Sequence, residues 1–359
     1  MSTATLSPVI GENEVVFALA DPSSDLAGVN LYQEVLRPRN GPAFTRRPDD
    51  AAWQLRFPRA DLDRMEYLVE LVRGDGSAEL RPDPSNPLRA PGPFGDKSVV
   101  EWPEYGSPAW LEGDFRHPGP IVAGTIDCRS IGASLPVVLW SSPGTSPDQP
   151  LPLLIAHDGP DYAEYSKLLM LLDRKCSEDL LPPLRAALIG PVDRNEIYSA
   201  SAAYGRVLAH RILPWLNRHA PTPQGRRFRI GMGASLGALS MLHAHRTHPA
   251  SFGALYLQSG SFFRQRFDKQ ESGFVRFRRI SRFVGRILTA GDWSHPVPVT
   301  MTCGTIEENL ANNHAVHDAL ARQGYDVRLA VNRDGHNWVG WRDTFDPHLI
   351  ELLQRVWGQ

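Results

Sequence analysis

The sequence predicts an α/β chain built on a predominantly parallel sheet and preceded by a smaller all-β sandwich. Three observations carry this. Over residues 1–105, apolar side chains alternate with polar ones in short runs separated by turn formers. From Ile121 onward, continuous apolar runs of five or six residues alternate with stretches of helical period. Between one such run and one such stretch lies Gly233-Ala-Ser235-Leu-Gly237.

The 359 residues suffice for two domains, divided as 1–105, a linker at 106–120, and 121–359. A net charge of -2 excludes a general polyanion binder. Cys128, Cys176 and Cys303 are too few and too scattered for a disulfide framework or a zinc site, and they fit a reducing compartment. Met1 to Val15 shows no basic start followed by an apolar run, and no apolar stretch reaches membrane-spanning length. The expectation is a cytoplasmic protein with no nucleic-acid or membrane partner; the oligomeric state is not legible.

In the first part, Val15–Ala20 and Val29–Val35 are expected strands. Trp53, Leu55 and Phe57 mark a third, and Tyr67, Val69 and Leu71 a fourth. Gly74-Asp-Gly76 and Asp83-Pro-Ser-Asn-Pro87 are turns, and no helix of useful length is expected. Prolines 103, 108, 118 and 120 break periodicity in the linker, which Trp102, Trp110 and Phe115 can anchor. Beyond it, Ile121–Ile126, Pro136–Trp140, Leu151–Ala156, Ala186–Ile189, Phe228–Met232, Gly253–Leu257, Val297–Cys303 and Val327–Val331 read as strands. Helical period marks Leu168–Leu172, Tyr204–Leu216, the stretch after Ser235, Ala315–Ala321 and His348–Trp357.

In that context the G-x-S-x-G is a nucleophile elbow, which makes the sheet an α/β-hydrolase fold. The serine occupies a strained turn with its hydroxyl exposed. Residues two before and two after it crowd one another, so both lack a side chain. The hydroxyl is too weak an acid to attack unaided and needs a base held by an acid. In this fold the chain order is serine, acid, histidine. Of 12 histidines, His336 stands in a turn directly after the last sheet strand and is the expected base; His314 and His317 fall on or near a helix. The loop after strand 297–303 offers Glu307 and Glu308, of which Glu307 is favoured as the acid. Asp334 stands too close in a tight turn to reach the imidazole. The expected oxyanion donors are the N–H of Leu236 and one from His157-Asp158-Gly159-Pro160, a stretch that reads equally well as a plain tight turn. Pro160 has no N–H, leaving Gly159 or Asp158.

With these pieces placed, the chain resembles the enterochelin esterase (ferric-siderophore esterase) family, within the esterase D-like α/β-hydrolases. The resemblance runs along nearly the whole chain. It includes Trp53, Tyr67 and Asp83-Pro-Ser-Asn-Pro87, then His157-Asp-Gly159 and Asp193-Arg-Asn-Glu-Ile197. It continues through Gly233–Gly237, Cys303-Gly-Thr-Ile-Glu307 and Gly335-His-Asn-Trp338-Val-Gly-Trp-Arg342. The family's usual Gly-Gly-His-Asp-Trp departs here twice: Asp334 replaces the first glycine and Asn337 the aspartate. The resemblance implies an immunoglobulin-like first domain and hydrolysis of siderophore esters to release iron; a serine mechanism of this kind requires no metal or organic cofactor.

Arg264 to Arg286 holds eight basic and two acidic residues interleaved with phenylalanines. It reads either as a lid over an anionic aromatic ligand, through Arg264 and Arg266, or as an amphipathic helix packed on the core. Asp158, Arg194 and Trp338 are further candidate substrate contacts; an internal ion pair bracing the loop is the alternative for Arg194 and Glu196. Competing functions are a feruloyl-type or general carboxylesterase, an acyltransferase, and a non-catalytic binding protein on the same scaffold.

Overall fold

The computed structural model describes residues 8–47, 51–113 and 119–358. Two compact units emerge. One comprises Met1–Gly106 together with Gly304–Glu307 and Arg333–Gly340; the other comprises Ser107–Cys303, Glu308–Asn332 and Trp341–Gln359.

The first unit is built on two antiparallel sheets. One orders Val9–Ile10, Glu14–Ala20, Ala52–Pro58 and Thr45–Arg47; the other orders Asn40–Ala43, Leu26–Tyr32, Arg64–Arg73, Lys97–Glu101 and Arg89–Ala90, with Ala78–Arg81 also paired to Arg64–Arg73. Period-two alternation turns Val15, Phe17, Leu19, Val29, Leu31, Leu55, Phe57, Tyr67 and Val69 into one buried core. The strand expected at 29–35 instead runs Leu26–Tyr32. Gln33 continues the alternation, but its side-chain amide donates to the carbonyls of Leu36 and Gly41 and accepts from Leu36 N–H, which closes a turn. In Asp83-Pro-Ser-Asn-Pro87 the prolines are exposed while Asp83 and Asn86 are buried: Tyr67 donates to Asp83 at 2.8 Å and Asn86 donates to the Val99 carbonyl at 2.7 Å. Two residues from late in the chain, one in a loop and one in a short helix, join this unit. Ile306 packs on the sandwich core, and Val339 packs with Ala90 and Val99.

The second unit contains an eight-stranded sheet whose strands are labelled in chain order: β1 Ile121–Cys128, β2 Ala133–Ser141, β3 Leu153–His157, β4 Arg185–Ile189, β5 Arg229–Ala234, β6 Ala254–Gln258, β7 Val299–Gly304 and β8 Val327–Asn332. Their spatial order is β1-β2-β4-β3-β5-β6-β7-β8. The pairings of β1 with β2 and of β2 with β4 are antiparallel, and those from β4 to β7 are parallel. The central strands β3, β4 and β6 are buried at every position, as their continuous apolar runs require.

The stretch expected as one helix from Tyr204 to Leu216 is three pieces: α over Ala202–Val207, a π turn over Leu208–Ile212, and α over Leu213–His219. Pro214 has no N–H, and just before it the Leu213 N–H reaches back five residues to the Leu208 carbonyl. The arginine-rich segment resolves into the helix Phe277–Thr289, which buries Phe277, Ile280, Phe283, Val284 and Ile287 and exposes Arg278, Arg282 and Arg286. Its apolar stripe belongs to the core, so this half of residues 262–288 is a packed helix rather than a lid. Of the expected linker anchors, Trp102 and Trp110 are buried, and Phe115 lies outside the described residues. Among the described residues, no helix is long and apolar enough to cross a membrane.

Candidate active site

β5 ends at Ala234 and the helix Leu236–Thr247 begins two residues later. Ser235 between them has φ 55° and ψ −121°, a conformation that costs an L-residue of order 1–3 kcal/mol and persists only where its surroundings enforce it. The enforcement is visible. A side chain at Gly233 would place its Cβ 2.6 Å from the backbone carbon of Gly237, and one at Gly237 would meet Asp158 and His157 at 3.2 and 3.3 Å. The backbone of Ser235 is pinned on both sides, donating to Gln258 O at 2.8 Å and accepting from Ser261 N–H at 3.1 Å. The Ser261 hydroxyl lies 3.0 Å from that of Ser235. Leu236 opens a helix, so its N–H has no intrahelical acceptor.

β3 leads into a second sharp turn. Asp158 has φ 52°, and Gly159 opens the helix Gly159–Tyr165 with Pro160 behind it. A Cβ at Gly159 would lie 2.3 Å from Leu188 Cα, so only glycine fits. Both carboxylate oxygens of Asp158 accept from Arg194, each at 2.9 Å, and Arg194 also reaches Ala234 O at 3.5 Å. These two candidate substrate contacts are thus spent on each other, and the pair ties the turn after β3 to the residue preceding Ser235. Glu196 likewise pairs with Arg276 and Arg279. His157 is fully buried, stacked on Tyr198 and 2.8 Å from the Tyr204 hydroxyl. Burial pushes its pKa down to about 3, so it stays neutral.

In the first unit, Glu307 accepts from His336 Nδ1–H at 2.6 Å through one oxygen and from Gly304 N–H at 2.7 Å through the other. The Glu307 side chain is 1% exposed and that of His336 is 35% exposed. A carboxylate fixed on Nδ1 leaves Nε2 of the neutral ring as the proton acceptor. Asp334 does not serve His336. It is buried, accepts from Gly335 N–H and Asn337 Nδ2, and lies 3.5 Å from Arg64. Burial pushes Asp334 up to about 6, against the pull of Arg64. Of the remaining candidates, Arg264 stacks over the ring of exposed Phe267 at 4.4 Å, Arg266 is exposed, and Trp338 is half-buried at the start of the helix Trp338–Asp343. Neither Ser261 nor Arg64 carries a sequence signal: one is a serine in a loop, the other a charged residue in an alternating strand.

Residues 133–352 match the model of the Esterase family, described as "Putative esterase". The chain belongs to the Esterase family. Within it, the chain is 29% identical over 205 residues to the iron(III) enterobactin esterase of Dickeya dadantii (strain 3937), covering 53% of this chain and 45% of that protein. The iron(III) enterobactin esterase of Escherichia coli (strain K12) is 24% identical over 222 residues, covering 60% and 53%. The match therefore spans about half the length of these curated relatives. The enterobactin esterase of Shigella flexneri, solved in the presence of enterobactin, superposes with TM-score 0.77 at 20% identity over 98% of this chain and 96% of that one. A ferulic acid esterase superposes with TM-score 0.57 at 16% identity over 68% of this chain and all of that one. The resemblance to enterochelin esterases and the α/β-hydrolase fold read from the motifs are both borne out.

Proposed function

We propose that the protein is a serine esterase acting on ester bonds of a siderophore, with Ser235 as nucleophile, His336 as base and Glu307 as the group that holds the imidazole. One observation carries the reading: Ser235 is held at positive φ at the mouth of a helix in an Esterase-family chain. The hydroxyl proton passes to His336 Nε2 as Ser235 Oγ attacks the ester carbonyl. The N–H groups of Leu236 and Gly159 receive the oxyanion. His336 then returns the proton to the leaving alcohol, and a water activated by the same imidazole releases the acyl group. Glu307 stays ionised throughout and stabilises the imidazolium. The substrate class follows from the relatives' activity on iron(III) enterobactin and from half-buried Arg264, stacked on exposed Phe267, with exposed Arg266 beside it in the chain, which together suit an anionic aromatic ligand. Arg264, Arg266 and Trp338 are its proposed contacts, while Asp158 and Arg194 brace the oxyanion turn.

The test pairs fluorophosphonate labelling with mass spectrometry of products from ferric enterobactin, methyl ferulate and p-nitrophenyl butyrate. Labelling at Ser235 with release of dihydroxybenzoyl-serine units supports the proposal. Turnover of methyl ferulate alone reassigns the substrate to the feruloyl class, for which the ferulic acid esterase likeness is the precedent. No labelling and no turnover makes the chain a binding protein on a hydrolase scaffold.

A further inference from the structure

Asp334 and Asn337 stand on either side of His336 in the chain. Both side chains turn to the same partner. Arg64, on the strand Arg64–Arg73, is 2% exposed; its Nη1 donates to Asn337 Oδ1 at 3.3 Å and lies 3.5 Å from Asp334 Oδ2. Its Nη2 pairs with Glu66 at 2.9 Å, so the fork is fixed from the sandwich side. The loop side is equally bound. Asp334 accepts from Gly335 N–H and Asn337 Nδ2, and Asn337 Oδ1 accepts from Gly340 N–H at 2.7 Å. Around this centre, Arg333 pairs with Asp61 and Asp63, and Asp63 N–H donates to the Arg333 carbonyl at 2.9 Å. The acid's loop is tied in the same way, by Thr305 Oγ1 donating to the Asp61 carbonyl and by Ile306 on the sandwich core.

We infer that Arg64 is a positioning residue for His336: the sandwich, through this buried guanidinium, sets the conformation of the loop that carries the base. The inference rests on the reading of His336 as the base. A buried ion pair contributes little net stability against an apolar substitute, yet removing one partner strands the other charge in the interior. Without Arg64, the Asp334 carboxylate must find solvent or a proton, and either route reorganises the turn at 334–337. Displacing a catalytic group by about 1 Å costs roughly 100-fold in rate.

The experiment measures steady-state hydrolysis of p-nitrophenyl butyrate by the full chain and its Arg64→Met, Arg64→Lys, Arg64→Met/Asp334→Asn, Arg73→Met and His336→Ala variants. Alongside, NMR follows the downfield proton of the His336 Nδ1–H bonded to Glu307. Arg64→Met is expected to lower kcat by about 30- to 100-fold with KM within about threefold, and to shift or broaden the downfield proton. Adding Asp334→Asn restores kcat by at least about fivefold, because the stranded charge is gone. Arg73→Met, which breaks an exposed sandwich pair with Glu79, behaves as the natural chain. A folded Arg64→Met variant with unchanged kcat and an unchanged downfield proton overturns the inference. If that variant does not fold, Arg64→Lys is read by the same criteria, since an ammonium keeps the charge without the fork that spans both partners. Full turnover by His336→Ala overturns the underlying assignment of the base, an outcome separate from normal kcat in the Arg64 variants alone.

Discussion

A hydrogen-bond donor or acceptor is worth most where nothing else can replace it, and the site contains several such places. Glu307 is one. Its two oxygens are each committed, to His336 Nδ1 and to Gly304 N–H, and its side chain is closed to water. Glu307→Gln keeps the shape but presents the ring with an amide, and the wrong tautomer follows; kcat is expected to fall by about 10³- to 10⁴-fold, while exposed Glu308→Gln leaves it unchanged. Steady-state kinetics of the two variants side by side decide this. Gly233 is another such place. Gly233→Ala forces a Cβ into the Gly237 backbone at 2.6 Å, and the Ser235 turn must open to accept it. A loss of stability of about 1–3 kcal/mol in chemical denaturation, together with slowed fluorophosphonate labelling, is expected. The sharp turn at Ser235 and the pairing of His336 with Glu307 were legible because residue type, motif spacing and loop order restrict them together. Arg64 was not: on an alternating strand a charged residue reads as solvent-facing, and besides neighbouring Glu66 the partners that offset its burial, Asp334 and Asn337, lie some 270 positions further along.

Elements were legible wherever one physical rule governed them alone. Strands covered on both faces gave continuous apolar runs, and β3, β4, β5 and β6 lie within one or two residues of expectation, with the elbow strand beginning at Arg229. Edges moved where a polar side chain took over the ladder, as Gln33 does beyond Tyr32. The helix Phe277–Thr289 was ambiguous because aromatic residues among arginines serve a lid or a core equally well, and tertiary packing alone chose the core. The short helix Gly159–Tyr165 shows an element whose entry is set by an ion pair. Asp158 holds φ 52° while both its oxygens grip Arg194, which itself reaches the Ala234 carbonyl. Arg194→Met leaves a carboxylate 2% exposed without its partner, and the turn carrying the Gly159 N–H loses its brace. The expected cost in kcat is about 10- to 100-fold, less than the loss of an oxyanion donor outright, with labelling by fluorophosphonate slowed in parallel. Equal kcat in Arg194→Met and the natural chain would leave the pair with a purely structural part.

At the scale of the whole molecule, the sequence showed two kinds of periodicity but not that loops 304–307 and 333–340 group with the sandwich, because that grouping is made by contacts distant along the chain. Buried titratable groups in each unit add a property of the molecule that no motif records, and they act with opposite sign. His157, His243 and His245 are neutral in the fold, pushed down by burial to about 3, about 4 and about 3 from 6.5. Below 6.5 the unfolded chain binds protons that the native chain refuses, so stability is full above that pH and falls as pH drops. Asp334, pushed up from 3.8 to about 6, does the reverse: the native chain holds a proton that the unfolded chain has released, so stability falls as pH rises through that window. Each group changes stability by up to about 1.4 kcal/mol per pH unit, and three histidines outweigh one aspartate. The melting temperature is therefore expected to fall from pH 7 to pH 4.5. Asp334→Asn should make that fall steeper, since it removes the one opposing group among the four. His245→Gln should make it shallower, since it removes one of the three. Thermal unfolding of the three proteins across this range checks the sign of each change, and an Asp334→Asn curve parallel to that of the natural chain would show that this carboxyl titrates alike in both states.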